Sequence, residues 1–373
     1  MTTRSLFLKI YNYFFTDNLP QKNYSGLILF TTMGNNYFLK HINILKKFFV
    51  YAGLFLLFFC CSTMLFSQQN KLQSLTSPII FKGNDSVAYR DPAVLYHKKL
   101  FYLFFTMVKS EADGKVYSYT AMSTSKDLKN WSDKKILTPR DQNLDYSSPG
   151  NVIRYKNEWI LCLQTYPRPG YYSKDMPKFG TGDARLYIMR SKNLISWSLP
   201  ELIRVKGNEI SQQDMGRMID PYLLEDKDEK GKWWCFYKQN GVSMSTTHDF
   251  KNWKYFGHTE SGENVSVLKE DGIYILFHSP KNGIAIKKST DLKHWEQFGN
   301  LITLGQKDWP WAKGRITAGT VIDLKKIPGY GAYVMFFHGS GPLTEEAGDF
   351  DKNTSIGIAW SSDLINWNWP VKR

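Results

Sequence analysis

Two kinds of short segment alternate along the chain after residue 75: apolar runs with the composition of β-strands, and polar turns that end on a tryptophan. The turn consists of a small hydroxyl residue, any residue, Asp or Asn, Leu or Phe, two variable residues and Trp. Its five copies are SKDLKNW, SKNLISW, THDFKNW, STDLKHW and SSDLINW, which begin at Ser125, Ser191, Thr247, Ser289 and Ser361. An aromatic motif that recurs every 40 to 70 residues or so is typical of radial repeat proteins. We therefore expect five structural units of one design.

Each turn follows a run rich in Tyr, Phe, Trp, Ile and Val, a composition that predicts a β-strand. The five runs lie at residues 100–107, 158–166, 232–239, 272–279 and 331–340. A shorter strand precedes each run and a third strand leads into the turn, so each unit has three or four antiparallel strands. Five such sheets around an axis predict an all-β fold, a five-bladed β-propeller, which leaves only short strand edges.

The N-terminal region has the pattern of an export signal. Residues 48–66 are nineteen residues without a charge, preceded by Lys46 and Lys47 and followed by Ser67. This arrangement indicates a secretory signal peptide, and a retained membrane anchor through residues 48–66 is the alternative. Met33 would make a more ordinary start than Met1. We predict an extension with a signal peptide over residues 1–67, a short linker over 68–78 and the propeller over 79–373. The protein is then secreted or periplasmic, with no stable membrane span after cleavage.

Composition adds two expectations. Cys162 and Cys235 lie in second strands of neighbouring units, where buried free thiols are favoured over a disulfide. The net charge is +14; the first 67 residues carry six Lys or Arg and one Asp, which leaves +9 for the remainder. A basic exported protein favours an acidic partner such as an anionic polysaccharide, although a solvated basic surface explains the charge equally well. Nucleic acid is disfavoured by export and by the lack of a basic run or a known reading motif.

The innermost strands carry the candidate chemistry, because in a propeller they line the central channel. The first residues of these strands are Asp91, Ser148, Asp220, Glu263 and Ala318. Clustered carboxylates raise one another's pKa, so that one can act as an acid while another acts as a base. Cleavage of a glycosidic bond requires such a pair. Asp-Pro at a strand start is also an ordinary turn device, but three carboxylates at matched points favour a functional site.

These residues support a resemblance to a known family. Arg90-Asp91-Pro92, Ile219-Asp220-Pro221 and Gly262-Glu263, together with the five turns, resemble glycoside hydrolase family 43. The resemblance covers essentially all of the chain after residue 75 and implies a five-bladed propeller that acts on arabinan, xylan or related plant or algal glycans. The turn is shared with related propeller families (32, 62, 68 and 117), some of which cleave fructans or agaro-oligosaccharides.

The resemblance also implies roles for the three carboxylates. Asp91 would be the general base on water, Asp220 would tune and orient the acid, and Glu263 would be the general acid, with inversion at the anomeric carbon. This chain has Glu263-Asn264-Val265 where the family usually has Glu-Gly-Pro. It has Ala318 where many members carry a His near a central metal, so we expect neither a metal nor another cofactor.

Other polar side chains are expected to surround the site. The ends of the second strands place Thr106, Gln164, Lys238, His278 and His338 at matched positions, where they could bind sugar hydroxyls. The histidines could equally be hydrogen-bonded side chains between blades. Arg90 could pair with a catalytic carboxylate, whereas Arg217 and Arg315 could meet a carboxylate or sulfate on the substrate. Structural ion pairing is the favoured alternative for each of these arginines taken singly. The predicted substrate-binding set is Arg90, Ser148, Gln164, Lys238, His278, Arg315 and His338. The long aromatic loop at 166–182 could form a wall on which a sugar ring stacks. Trp309 and Trp311 are similar candidates, with packing as the alternative for the tryptophans.

The sequence thus predicts an exported, exo-acting, inverting glycoside hydrolase on plant or algal oligosaccharides or polysaccharides. Three alternatives stay open: a carbohydrate-binding propeller without turnover, a related enzyme acting on agar-type or fructan substrates, and a propeller phosphorylase.

Overall fold

The computed structural model describes residues 70–371, and these residues form five small antiparallel sheets. Consecutive sheets contact one another, and the first contacts the fifth, so the predicted five-bladed β-propeller is confirmed. In chain order the strands are β1 (Ile79–Phe81), β2 (Val87–His97), β3 (Leu100–Ser110), β4 (Val116–Ser125), β5 (Lys135–Ile136), β6 (Tyr146–Ser147), β7 (Val152–Tyr155), β8 (Glu158–Thr165), β9 (Leu186–Ser191), β10 (Glu201–Leu202), β11 (Ile219–Glu225), β12 (Trp233–Lys238), β13 (Val242–Thr247), β14 (Lys254–Thr259), β15 (Glu263–Glu270), β16 (Ile273–Ser279), β17 (Ala285–Ser289), β18 (Glu296–Gln297), β19 (Arg315–Asp323), β20 (Tyr333–Ser340), β21 (Ser355–Ser361) and β22 (Trp367–Asn368).

Each blade runs outward from the axis in strand order. Blade 1 is β2 to β5, blade 2 is β6 to β10, blade 3 is β11 to β14, blade 4 is β15 to β18 and blade 5 is β19 to β22. The five aromatic runs become the second strands β3, β8, β12, β16 and β20, as predicted. The ring closes where β1 pairs antiparallel with β21, with Ile79 opposite Gly357. The first strand of residues 70–371 therefore completes the last blade.

Helical turns are few and short in the part of the chain that the structure describes. Three 3₁₀ turns span Ser173–Asp175, Gln306–Asp308 and Pro310–Ala312, and a π-helical turn spans Glu345–Asp349. Over residues 70–371, no helix has the length and hydrophobicity needed to cross a membrane. The predicted extension, the signal peptide and Met33 lie outside the described residues. Within the predicted linker, Leu72 and Leu75 are buried in the apolar core of blades 1 and 5.

The recurring turn owes its residue pattern to hydrogen bonds within the motif. In the fifth copy Ser361 Oγ accepts the backbone N–H groups of Asp363 and Leu364, at 3.2 and 2.9 Å. Asp363 Oδ1 in turn accepts the N–H groups of the next two residues. Leu364 adopts a left-handed φ of 66° and is buried, and its carbonyl accepts the indole N–H of Trp367. The hydroxyl, the carboxylate, the leucine and the tryptophan thus each have a defined part in one turn.

Apolar side chains between neighbouring blades form the core. The two cysteines lie in one such cluster, where both are free and fully buried. Burial raises the pKa of Cys162 to about 12, so its thiol stays protonated and acts as a small apolar side chain. The prediction of buried free thiols is confirmed.

Candidate functional site

One residue near the start of each inner strand adopts a left-handed backbone conformation. The five residues are Asp91, Ser148, Asp220, Asn264 and Ala318, with φ angles of 49°, 44°, 54°, 55° and 56°. Four of them are the positions that the alignment of the units predicts. Blade 4 corrects the prediction, because its left-handed residue is Asn264 and Glu263 precedes it. Glu263 is therefore matched with Arg90, Ser147, Ile219 and Thr317, and not with the two aspartates.

The left-handed residues interrupt the pairing between the inner and second strands. In blade 1 the regular register breaks between Arg90 and Ala93, and in blade 4 it breaks between Glu263 and Ser266. A bulge of this kind turns a side chain away from the direction that a regular strand would give it. A left-handed conformation costs an ordinary residue about 1–3 kcal/mol, and Asp and Asn tolerate it best after glycine. The fold therefore maintains local strain around the axis.

Polar side chains at the ends of second strands hold these left-handed residues in place. Thr106 Oγ1 accepts the N–H of Ser148 at 2.6 Å, and His338 Nδ1 accepts the N–H of Asp91 at 3.1 Å. Gln164 Oε1 accepts the N–H of Asp220. Each contact joins one blade to the next, so these side chains set the register between blades.

Blades 3 and 4 complete this pattern in different ways. In blade 3 the matched residue is Lys238, whose ammonium group cannot accept a hydrogen bond. The N–H of Asn264 instead donates to Asp220 Oδ2 at 3.0 Å. In blade 4 the matched residue is Ser279, which lies opposite Glu263, and its Oγ accepts the N–H of Ala318 at 2.9 Å. The sequence alignment placed His278 there, one residue too early.

Asp91 is buried and surrounded by neutral donors. Its Oδ2 accepts the hydroxyl hydrogens of Thr106, at 2.8 Å, and of Ser148, at 2.9 Å. Its Oδ1 lies 3.4 Å from Asn264 Nδ2 and 3.6 Å from His338 Nδ1. Because Nδ1 already accepts the Asp91 N–H, the hydrogen of His338 is assigned to Nε2, which lies 3.6 Å from Glu345. The donors on Oδ2 fix the orientation of the carboxylate and leave Oδ1 as its less strongly bonded oxygen.

Asp220 occupies a different electrostatic environment. Its side chain is buried, and burial, followed by the charges of Glu263 and Asp91, raises its pKa to about 8. The hydrogen bond from the Asn264 N–H opposes this shift but does not cancel it. Asp220 is therefore mostly protonated at neutral pH.

Glu263 is the most exposed of the three carboxylates, with 32% of its side chain accessible. Arg315 donates to Glu263 Oε1 at 2.6 Å and to Glu345 Oε2 at 2.8 Å, so one guanidinium bridges two carboxylates. Burial opposes ionisation of Glu345, but the nearby His338 ring, 3.6 Å away, and the charge of Arg315 hold its pKa well below its usual range. Glu345 had no signal in the sequence, because the short turn that carries it lies outside the repeat.

The three carboxylates line one cavity of about 400 Å³ at the end of the propeller axis. Tyr166, Phe179 and Phe350 also line it and form an aromatic wall on one side, since the Phe179 and Phe350 rings pack with centroids 4.7 Å apart. The predicted residues that line the same cavity are Arg90, Asp91, Ser148, Gln164, Arg217, Asp220, Glu263, Arg315 and His338. Tyr166 and Phe179 of this wall belong to the loop at 166–182, whereas Tyr171 of that loop is buried away from the cavity.

Some predicted residues do not face this cavity. Lys238 lines an adjacent cavity of about 380 Å³ that shares Glu263 and Arg315 with the first. His278 lies behind the site: its Nδ1 accepts the N–H of Gly262 at 2.9 Å, and burial lowers its pKa to about 4. Trp309 and Trp311 stack at 5.2 Å and belong to the core between blades 4 and 5, so the packing interpretation holds for them.

A buried network of ion pairs connects the two segments that carry the aromatic wall. The guanidinium of Arg168 is fully buried and lies 3.3 Å from Asp145 and 2.8 Å from Asp351. Tyr171 donates its hydroxyl hydrogen to Asp351 at 2.5 Å. The network joins the loop that carries Tyr166 and Phe179 to the segment that carries Phe350. Because the network connects residues up to 183 positions apart, no local sequence pattern indicates it.

The residues at the centre of the ring do not fit a metal ion. Ala318 offers no ligating atom at the fifth-blade position, and His338 Nδ1 is already used as an acceptor. Within residues 70–371, no group of three or more His, Cys, Asp or Glu side chains is placed to hold a metal.

Comparison with known proteins supports the fold. No protein-family model matches the chain, and no curated protein sequence matches it. A thermostable family 43 glycoside hydrolase is similar in structure, with a TM-score of 0.53 and 15% identity over 80% of this chain and 97% of that one. A mutant of the family 43 protein BlXynB from Bacillus licheniformis has a TM-score of 0.53 and 17% identity over 79% of this chain, which spans only 56% of that protein. A family 43 β-1,3-galactosidase with galactodeoxynojirimycin has a TM-score of 0.51 and 13% identity over 75% and 92% of the two chains. The chain therefore has the five-bladed propeller fold found in family 43 glycoside hydrolases.

Proposed function

We propose that the protein is an inverting glycoside hydrolase in which Asp91 is the general base, Glu263 the general acid and Asp220 the residue that tunes the acid. The observation that carries this proposal is the convergence of three carboxylates, each in a different environment, on one axial cavity. Hydrolysis with inversion needs a base that activates water and an acid that protonates the leaving oxygen, on opposite faces of the sugar. The fold of the structural neighbours supports the same reaction class.

The contacts of each carboxylate match its proposed role. Asp91 lines the cavity, and two hydroxyl donors on Oδ2 orient it and leave Oδ1, its less strongly bonded oxygen, to accept from a water molecule. Asp220 holds a proton at neutral pH, so it does not compete with Asp91 as the base. The protonation state of Asp220 responds to the charge on Glu263. Glu263 is partly exposed, which suits a group that must reach the leaving oxygen of a bound sugar.

We further propose exo action on oligosaccharides or polysaccharides from plants or algae. The wall formed by Tyr166, Phe179 and Phe350 bounds one side of the cavity, and this supports binding of a chain end. Aromatic side chains are also suited to stacking on a sugar ring. The sugar and the linkage are to be found by screening arabino-, xylo-, galacto- and sulfated algal oligosaccharides, with products read by mass and anomer by NMR.

Two substitutions test the assigned roles. Asp91→Asn and Glu263→Gln keep the size of the side chain and are expected to abolish hydrolysis while the thermal unfolding transition remains. The control is Asp228→Asn, since Asp228 has a side chain that is 75% exposed and lies outside the cavity. Hydrolysis at the wild-type rate in either site variant, or retention of anomeric configuration, would refute the roles.

A binding protein without turnover is the second candidate, and one contact favours it. Arg315 donates to the Glu263 carboxylate, the group that must deliver a proton in the first proposal. Calorimetric binding of an oligosaccharide, with no product after prolonged incubation, would support this candidate. Phosphate-dependent turnover would instead indicate a phosphorylase.

Export is proposed from the uncharged stretch at residues 48–66 and the small Ser67 after it. N-terminal sequencing of the mature protein is expected to begin at Gln68. A mature protein that retains residues 48–66 would indicate the membrane-anchored alternative.

A further inference from the structure

Arg90 is a buried cation that forms no ion pair with a carboxylate of residues 70–371. The residue is only 4% exposed, yet none of the carboxylates in residues 70–371 lies within 4.0 Å of its guanidinium nitrogens. Its Nε hydrogen has no acceptor among the described residues. The guanidinium stacks on the ring of Phe350, 3.9 Å from the centroid, which compensates only part of the cost of burying a charge. The sequence-based expectation that Arg90 pairs with a catalytic carboxylate is not met.

The position of Arg90 in the repeat directs it to the cavity. Arg90 precedes the left-handed residue of blade 1 as Glu263 precedes that of blade 4, and both side chains line the cavity. Blades 1 and 4 are two blades apart in a ring of five, so Arg90 and Glu263 approach the axis from nearly opposite sides. A ligand group held by Arg90 would therefore lie away from the leaving group that Glu263 protonates.

Arg217 adds a second positive charge to the same cavity. Its side chain is exposed, and within the described part of the chain it forms no ion pair. Both arginines line the cavity together with Tyr166 of the aromatic wall. Arg315, by contrast, already forms ion pairs with Glu263 and Glu345. Two arginines without carboxylate partners, one of them buried, form a site for an anion, because guanidinium groups bind carboxylate and sulfate with paired hydrogen bonds.

We propose that the cavity takes a sugar bearing a carboxylate or sulfate group, and that Arg90 and Arg217 hold this group on the sugar whose glycosidic bond is cleaved. The inference rests on the proposed glycosidase function for the position of the cleaved bond, but the recognition of an anionic sugar is measurable by binding alone. The aromatic wall would stack on the ring while the two arginines bind its charged substituent.

The experiment is isothermal titration calorimetry of the full chain at low salt with matched sugars. The probes are galacturonate, glucuronate and galactose 6-sulfate against galactose and glucose, with inorganic sulfate as a separate probe. Charge-assisted hydrogen bonds of this kind predict about 10- to 100-fold tighter binding of the anionic member of a pair. Added salt is expected to reduce the preference.

Variants then assign the preference to residues. Arg90→Met keeps an apolar stem on Phe350 and is expected to abolish the preference, and Arg217→Met is expected to reduce it severalfold. Arg217 is exposed, so its variant tests the inference even where Arg90→Met does not fold. Arg154→Met is the matched control, because Arg154 also stacks on an aromatic ring, 5.1 Å from the centroid of Trp159, but lies outside the cavity.

Each outcome bears on the inference. Equal binding of anionic and neutral sugars, binding of none of them, or an unchanged preference in both cavity variants would overturn it. Inorganic sulfate binding as tightly as the sulfated sugar would show an anion site that does not recognise sugar, and would also overturn it. Hydrolysis that survives Asp91→Asn and Glu263→Gln would refute the catalytic roles while the binding preference stands, so the two proposals fail separately.

Discussion

Replacement of Asp220 by asparagine is expected to make the stability of the protein less dependent on pH. Asp220 is 6% exposed, and burial together with Glu263 and Asp91 raises its pKa from 3.8 to about 8. Because the pKa in the folded state lies above that in the unfolded state, the stabilisation from the protonated side chain is fully present below about pH 4. It is lost as the pH rises towards 8.

The size of this loss of stability follows from the difference between the pKa of Asp220 in the folded state and in the unfolded state. A pKa difference contributes about 1.4 kcal/mol per unit, so between its unfolded pKa and pH 7 Asp220 accounts for a loss of about 4 kcal/mol in the free energy of unfolding. Asparagine stays neutral and keeps an oxygen for the N–H of Asn264. Asp220→Asn is therefore expected to be up to about 4 kcal/mol more stable than the wild type at pH 7, with little difference near pH 4.

Urea unfolding of both proteins across about pH 4 to 8 measures this difference, with Asp228→Asn as the control for a surface carboxylate. The control is expected to follow the wild type throughout. Two parallel stability curves for Asp220→Asn and the wild type would refute the argument that a buried, protonated carboxyl lies between Asp91 and Glu263. Hydrolysis by Asp220→Asn is expected to fall, because asparagine cannot exchange the proton through which Asp220 is coupled to Glu263.

Three further predictions concern the scaffold of the site. Gln164→Ala leaves the N–H of the neighbouring left-handed residue without its acceptor and is expected to cost about 1–3 kcal/mol in urea unfolding. Arg168→Met leaves Asp145 and Asp351 buried without their cation and is expected to cost about 3–5 kcal/mol, whereas the triple variant with both aspartates changed to Asn should recover most of it. Ser361→Ala removes the acceptor of two turn N–H groups and should cost about 1 kcal/mol, seen as a lower midpoint of thermal unfolding.

The repeat could be found from the sequence because the forces that shape it are local. Ser361 bonds to residues two and three positions later, and Trp367 bonds to Leu364 three positions earlier. Such contacts force the same residue types into every copy, so the copies are visible in the sequence. The second strands can also be predicted from the sequence, because a strand buried on both faces needs a continuous apolar run.

The sequence does not predict which residue of blade 4 takes the left-handed position. Counting from the Trp turns placed Glu263 at the left-handed position, but the pairing of Glu263 with Ser279 moves that position to Asn264. The choice depends on the hydrogen bond from the Asn264 N–H to Asp220, a residue 44 positions away in another blade.

The sequence by itself determined the five blades, their strands and three of the carboxylates that line the cavity, Asp91, Asp220 and Glu263. Only the tertiary structure decided the electrostatic state of each carboxylate, the partners of Arg315 and the isolation of Arg90. The physical reason is the distance along the chain between the residues that interact. Turn and strand patterns are enforced by neighbours along the chain, whereas burial and charge at the axis are set by side chains that meet only after the first strand has paired with the last blade and closed the ring.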